Sequence, residues 1–294
     1  LMPNINDING LAVGSINDIN GVLKANIADI NGLTLPSAGV TPPLDTYTGA
    51  AAAYSVRLLR TAYTGNCMRV RRSSDSTEQD IGFDSNGDLD TAAIATFVGV
   101  GNIGYIHKLY DQSGNANDAT SSATNQPEIY NGGVLQMNSK PTWTKRSDTG
   151  KIGMTLPSST LTGNAHSIFA SAYWENTDQK LVHASGYAYE IRGSYNFFYQ
   201  GTVLQGNQNG INTFSEYIGS WVSGATDVGH LNGLQTASGS AGTNNIASSQ
   251  VLFSQNYAAR FVSKCQEIIL YNSQFSNSDR NGLTDNINDY YQVF

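Results

Sequence analysis

Charge is the scarcest ingredient of this sequence. Only 13% of its 294 residues are Asp, Glu, Lys or Arg, against roughly 25% in an ordinary globular chain. The balance is acidic, with a net charge of −7, so a phosphate backbone is a poor partner and no nucleic acid is expected. The densest basic stretch is Arg69, Arg71 and Arg72 in "MRVRR". Alternation puts Arg69 and Arg71 on one strand face, which suits a solvated edge as well as a binding patch. Cysteine is nearly missing. Cys67 and Cys265 cannot build a disulfide framework and lack zinc-site spacing, leaving one long-range bridge open if their strands are neighbours. No apolar run approaches membrane-spanning length, so no membrane is expected. The start, "LMPNINDING", has neither the basic region nor the apolar core of a secretory signal, although a removed signal stays open because the chain starts at Leu1. No Asn-x-Ser/Thr acceptor occurs, which speaks against a eukaryotic secreted glycoprotein.

Gly, Asn, Ser and Thr fill the gap left by charge. Gly and Asn tolerate positive φ, so this composition suits an all-β protein of short strands and tight turns. The first 35 residues say one phrase three times, "INDINGL", "INDINGV" and "IADINGL", at a spacing of 11 residues. The register aligns Ile5, Ile16 and Ile27, then Ile8, Ile19 and Ile30, then Leu11, Val22 and Leu33. Between them stand Asn9-Gly10, Asn20-Gly21 and Asn31-Gly32, a strong signal for a tight hairpin turn. Each unit is too small to bury its own apolar side chains. Exposed Ile and Leu at that density need a partner, and association between chains supplies one. A flexible leader is the competing account. The repeats resemble those at the N-termini of tailed-phage fibre and appendage proteins, which implies a stem over residues 1–35 that oligomerises or attaches to a virion. Pro36, Pro42 and Pro43 read as a stiff linker over 36–46.

From Tyr47 the pattern changes. "TGAAAAYSVRLLRTAY" supports a helix. "CMRVRR" is a strand, and "DIGFDSNGDLDTAAIATFVG" gives a short strand, an Asn86-Gly87 turn and a helix capped by Asp90. "GYIHKLYDQSGNANDAT" is a strand running into a polar turn. Six further strands follow in "HSIFASAYW", "KLVHASG", "YAYEIRG", "YNFFYQGTVLQ", "GHLNGLQTAS" and "SQVLFSQ", punctuated by turn residues as in a sandwich. The chain closes on a strand, "FVSKCQEIILYN", and a helix opened by Ser276 with Asp279 as its capping box and Leu283, Ile287 and Tyr290 or Tyr291 as its apolar stripe.

"ARFVSKCQEIILYNSQFSNSDRNGLTDNINDYY" resembles the closing strand and helix of the concanavalin A-like, laminin-G-like family, and "GHLNGLQTASGS" its hairpin. The opening from "AYTGNCMRVRR" through "KLYDQSGNANDAT" resembles a bacterial and phage branch of that family. Its "YDQSGN" is also similar to the catalytic domain of α-L-arabinofuranosidase B. These resemblances cover residues 47–294. They imply an all-β fold, two antiparallel sheets in a jelly-roll sandwich with a few short helices, and they leave function open among lectins, glycosidases and structural modules.

A retaining glycosidase needs two carboxylates roughly 5 Å apart. The arabinofuranosidase resemblance implies a Glu nucleophile on a central strand, and Glu190 of "YEIRG" is the loosely matching residue. It also implies an Asp acid in a late Gly-Gly-Asp turn, where this sequence has Ser254, Gln255 and Asn256. The family's cysteines near the first helix are absent as well. Without the acid, Glu190 reads as an exposed strand residue beside Arg192, and nothing in the spacing of Asp227 makes it a substitute. His107, His166, His183 and His230 are scattered. "GVGNIG" is a turn and not a dinucleotide fingerprint.

Calcium is the one cofactor the sequence suggests. Asp84, Asn86, Asp88 and Asp90 alternate as in calcium loops, against a hairpin turn plus a helix cap. Asp111, Asn115 and Asp118 pose the same choice against an Asx-locked turn. For sugar, Tyr173, Trp174, Tyr195 and Tyr199 stand among Asn and Gln and offer rings for a glycan face, although many rings must fill the core.

The sequence leads first to a non-enzymatic virion or surface-appendage protein. It would form a homo-oligomer, such as a trimer, through residues 1–36, join other virion or appendage proteins there, and display a lectin-like domain for glycans at a virion or extracellular surface. An arabinofuranosidase-like glycoside hydrolase is the second reading. A purely architectural capsid or filament subunit is the third.

Overall fold

The computed structural model describes residues 40–147, 152–174, 179–184, 187–192, 195–207, 215–223, 226–244, 250–253 and 264–294, with twelve paired positions before residue 35. The chain divides into two units, Leu1–Thr41 and Pro42–Phe294. In the first unit each repeat forms a two-residue hairpin. β1 (Asp7–Ile8) pairs with β2 (Leu11–Ala12), β3 (Asp18–Ile19) with β4 (Val22–Leu23), and β5 (Asp29–Ile30) with β6 (Leu33–Thr34). Ile8, Leu11, Ile19, Val22, Ile30 and Leu33 therefore lie on strands. Their side chains, and the whole of Ile5, Ile16, Ile27 and the three Asn-Gly pairs, lie outside the described residues.

The second unit opens with a one-turn helix, α1 (Pro43–Thr46). β7 (Ala50–Ser55) follows, where the alanine run suggested a helix. This is a correction with a clear cause. All six residues are buried, whereas an isolated helix face would leave some in water, so tertiary burial overrides the helix preference of alanine. β8 (Met68–Arg72) and β9 (Glu78–Ile81) form a hairpin, and burial alternates along β8 so that Arg69 and Arg71 share the outer face. α2 (Thr91–Val98) starts where Asp90 Oδ1 accepts the Ala93 N–H at 2.8 Å. β10 (Ile103–Leu109) follows, then the short strands β11 (Ala119–Thr120), β12 (Glu128–Asn131), β13 (Gln136–Met137), β14 (Lys140–Pro141), β15 (Trp143–Thr144) and β16 (Met154–Thr155).

The later half holds β17 (Ser167–Trp174), β18 (Gln179–Ala184), β19 (Tyr187–Arg192), β20 (Tyr195–Tyr199), β21 (Val203–Asn207) and β22 (Ser215–Val222). After these come β23 (Asp227–Leu231), β24 (Leu234–Gly239), β25 (Val251–Leu252), β26 (Lys264–Tyr271) and α3 (Asn277–Tyr291). "YNFFYQGTVLQ" is thus two strands and not one, divided at Gly201 with φ +102°. The Asn232-Gly233 turn has positive φ at both residues, 49° and 74°, as a tight hairpin requires.

All ladders are antiparallel. One run is β24-β23-β22-β17-β26-β7. A second is β16-β25-β18-β19-β20-β21. Residues of both, among them Ala170, Tyr217 and Ile268 from the first and Leu181, Tyr189 and Leu252 from the second, share one buried core. The fold is the expected all-β sandwich with a few short helices. The other face of the first run lies under α3, whose Leu283, Ile287 and Tyr291 are buried, and carries a cluster of Phe169, Tyr271 and Phe275. Cys67 and Cys265 are free, buried thiols.

Two buried histidines give the fold a pH dependence. Burial pushes His166 down to about 4, against the pull of the Thr162 carbonyl. Burial, helped by Arg280, pushes His230 to about 4. The unfolded chain takes up these protons first, near the ordinary histidine value of about 6.5. Their contribution is therefore intact above pH 6.5 and lost as pH falls towards 4. Urea midpoints of a His166→Gln variant should fall less between pH 7 and pH 5 than those of the parent chain. Equal falls would refute this account.

Candidate functional site

The "YDQSGN" stretch does architectural work. Asp111 Oδ1 accepts the N–H of Ala53 and of Ser113, both at 2.9 Å, while Oδ2 accepts the Ser113 hydroxyl at 2.7 Å and the Asn117 N–H at 3.0 Å. Gln112 accepts the Leu59 N–H at 2.7 Å and donates to the carbonyls of Ser55 and Arg57. Asn115 and Asn117 donate to the carbonyls of Ala50 and Ala51. β7 pairs with β26 along one edge, and this loop satisfies backbone groups of the same strand in place of a further strand. Asp118 bonds the Asp111 N–H and Lys108.

The four calcium candidates are engaged in turn, cap and long-range hydrogen bonds. Asp84 Oδ1 accepts the N–H of Asn86 at 2.8 Å and of Asp88 at 3.0 Å. Asp88 accepts the Tyr290 hydroxyl, and Asp90 caps α2. Among the described residues no group of three or more His, Cys, Asp or Glu is arranged to hold a metal ion.

Tyr173 stands near the end of β17. Across one ladder it faces Glu216 of β22, and across the other Lys264 of β26. The three side chains are half-buried, and the Lys264 ammonium lies 5.3 Å from the centre of the Tyr173 ring. Behind them, the buried Ser171 hydroxyl lies 3.2 Å from Glu216 Oε1 and 3.1 Å from Gln266 Oε1. Gln266 Nε2 reaches the carbonyls of Met137, Lys140 and Pro141 at 2.8, 3.3 and 3.2 Å. Burial pushes the Glu216 carboxyl up to about 7, against the Ser171 hydroxyl that donates to it and Lys264 beside it, both of which pull it down. A carboxyl poised near neutrality beside an aromatic ring, at a surface that remains half open, can bind a sugar and exchange a proton with it.

Of the residues expected to hold sugar, Tyr173 is in this row. Tyr199 is half-buried on β20, in the other run. Trp174 pairs with Ser215, Tyr195 with Arg192 and Asn207, and Glu190 with Lys180 and Phe197, but the side chains of Trp174, Tyr195 and Glu190 lie outside the described residues. So does the stretch Ser254, Gln255, Asn256. Asp227 is buried, and its Oδ2 accepts the Ala241 N–H at 2.5 Å, which ties down the start of β23. Glu216, Lys264, Ser171 and Gln266 were missed by sequence reasoning. Alternation could have put Glu216 on one face of "SEYIGSW", but its neighbours are decided by pairing of β17 with strands 45 residues away on one side and 95 on the other.

Residues 43–184 match the family model described as "Alpha-L-arabinofuranosidase B, catalytic". No curated protein matches the chain. Among solved structures, a GH54 α-L-arabinofuranosidase soaked with a cyclic sulfate inhibitor superposes with a TM-score of 0.57 at 17% identity, over 85% of this chain and 64% of that one. An arabinofuranosidase complexed with arabinofuranosyl-α-1,2-xylobiose gives 0.55 at 16% identity over the same shares. At that identity the likeness is one of fold, and the chain spans 64% of the length of these enzymes. The expectation of a virion or phage structural protein is corrected by these findings: the chain is similar to an arabinofuranosidase catalytic domain over residues 43–184, and none of the matches supports a virion role. Over residues 43–184 the chain is related in sequence to the catalytic domain of α-L-arabinofuranosidase B, and over 85% of its length it shares its β-sandwich fold with a solved arabinofuranosidase.

Proposed function

We propose that this protein is a glycoside hydrolase that cleaves α-L-arabinofuranosyl groups from polysaccharide or oligosaccharide. The observation that carries the reading is the sequence match of residues 43–184 to an arabinofuranosidase catalytic domain. Glu190, on β19, is the nucleophile implied by the family resemblance.

The test is release of 4-nitrophenol from 4-nitrophenyl α-L-arabinofuranoside and of arabinose from arabinan. We expect release by the full chain and its loss in a Glu190→Gln variant. Absence of release from both substrates by folded protein would overturn the reading.

A further inference from the structure

We propose that Tyr173, Glu216 and Lys264, continued by Leu234 and Phe294, form a second carbohydrate-binding surface. It holds a neutral, arabinose-rich polysaccharide on the face of the sandwich turned away from Glu190. The inference rests on the hydrolase reading for the identity of the sugar.

The strand registers separate the two faces. Along β17, Phe169 packs with Tyr271 and Phe275 on the α3 side, while Ala170 and Ala172 are buried in the core. Alternation therefore puts Ser171 and Tyr173 on the α3 side, with Glu216 and Lys264 beside Tyr173 across its two ladders. On β19, Tyr189 belongs to the core, so position 190 falls on the outer side of the other run.

The row has an apolar continuation. Ile218, two residues beyond Glu216 on β22 and on the same face, gives its N–H to Asn232 Oδ1 at 2.8 Å. Asn232 and Gly233 make the turn into β24, and a Cβ on Gly233 would lie 3.8 Å from the Phe294 ring. Among the described residues four large apolar side chains are exposed, and two of them, Leu234 at 58% and Phe294 at 52%, stand at this turn. Exposed apolar side chains gathered in one place mark a binding surface, whereas scattered ones mean nothing.

The chemistry selects the occupant. Glu216 and Lys264 flank Tyr173 with opposite charges, so a charged partner gains from one and loses to the other. A sugar hydroxyl both donates and accepts, which suits a carboxylate and an ammonium together, while the C–H face of a sugar ring lies on an aromatic ring. The groups are held in place beforehand. The Lys264 ammonium lies 5.3 Å from the centre of the Tyr173 ring, and the Ser171 hydroxyl donates to Glu216 Oε1 at 3.2 Å, so less freedom is lost on binding. Tyr173 and Phe294, on two levels of the face, offer two rings to a chain of sugars.

The test is binding of debranched arabinan, measured by affinity electrophoresis in the Glu190→Gln chain so that the polymer is not consumed. We expect retardation by the polymer, weakened about threefold to tenfold in Tyr173→Ala and in Phe294→Ala, the size of one aromatic contact. Phe294 is exposed, so its variant keeps the test open should Tyr173→Ala fail to fold. In ¹H–¹⁵N spectra the amide signals of Tyr173, Glu216 and Lys264 should shift when a linear arabino-oligosaccharide is added. No retardation, equal affinity in the folded variants, or unmoved signals at these three residues would overturn the surface. Hydrolysis of 4-nitrophenyl α-L-arabinofuranoside by the parent chain would then leave the hydrolase reading standing. Binding that both variants weaken, in a parent chain that hydrolyses nothing, instead overturns the hydrolase reading and leaves the surface.

Discussion

Replacing Arg57 by Met lowers the stability of the second unit by about 3–5 kcal/mol, the usual cost of stranding a buried charge. Arg57 and Glu267 are 3% and 0% exposed and form a forked pair, Nε to Oε2 at 2.8 Å and Nη2 to Oε1 at 3.0 Å. Ser55 and Tyr291 also donate to Oε2, at 2.8 and 3.1 Å, and Arg57 reaches Asn286 on α3 at 3.1 Å. The guanidinium lies 4.7 Å from the centre of the Tyr290 ring. The pair therefore joins β7, β26 and α3. Removing the cation leaves a carboxylate with two weak donors and no counter-charge. A second change, Glu267→Leu in the Arg57→Met background, should restore most of the loss, because a desolvated ion pair gives little net stability over apolar packing. Urea unfolding of the parent, single and double variants would check both statements. A single variant within 1 kcal/mol of the parent would contradict them.

Asp111→Ala should cost about 3 kcal/mol, since the deleted carboxylate takes four hydrogen bonds and the backbone N–H of Ala53 among their donors lies on a buried strand. The loss is expected as a lower urea midpoint together with faster amide exchange at Ala53, the donor on β7. Asp111→Asn keeps one acceptor oxygen and should lose less, because the amide nitrogen replaces only the Oδ2 side, where Asn117 N–H then lacks an acceptor. If Asp111→Ala left Ala53 exchange unchanged, the loop would not be what satisfies that edge of β7.

Particular residues show how far sequence reading reached. Asn232-Gly233, the Asp90 cap and the Ser276 cap, whose hydroxyl accepts the Asp279 N–H at 3.1 Å, were legible because a turn or a cap is decided within four residues. The alternation in "MRVRR" was legible for a similar reason. Ala50–Ser55 was misread as helix because its propensity is local and its burial is not. "YDQSGN" was recognised as a signature, but its role as the tie along the edge of β7 is visible only once residues 111–117 lie beside residues 50–53.

By itself the sequence determined the all-β class, the hairpin character of the N-terminal repeats, the turns and the caps, all of them consequences of φ preference, side-chain periodicity and short-range hydrogen bonding. The tertiary structure decided that Tyr173, Glu216 and Lys264 form one row and that Arg57 meets Glu267. Those neighbours are fixed by ladder register between distant strands, and register is chosen by burial of the whole sheet, which no short stretch of the chain encodes.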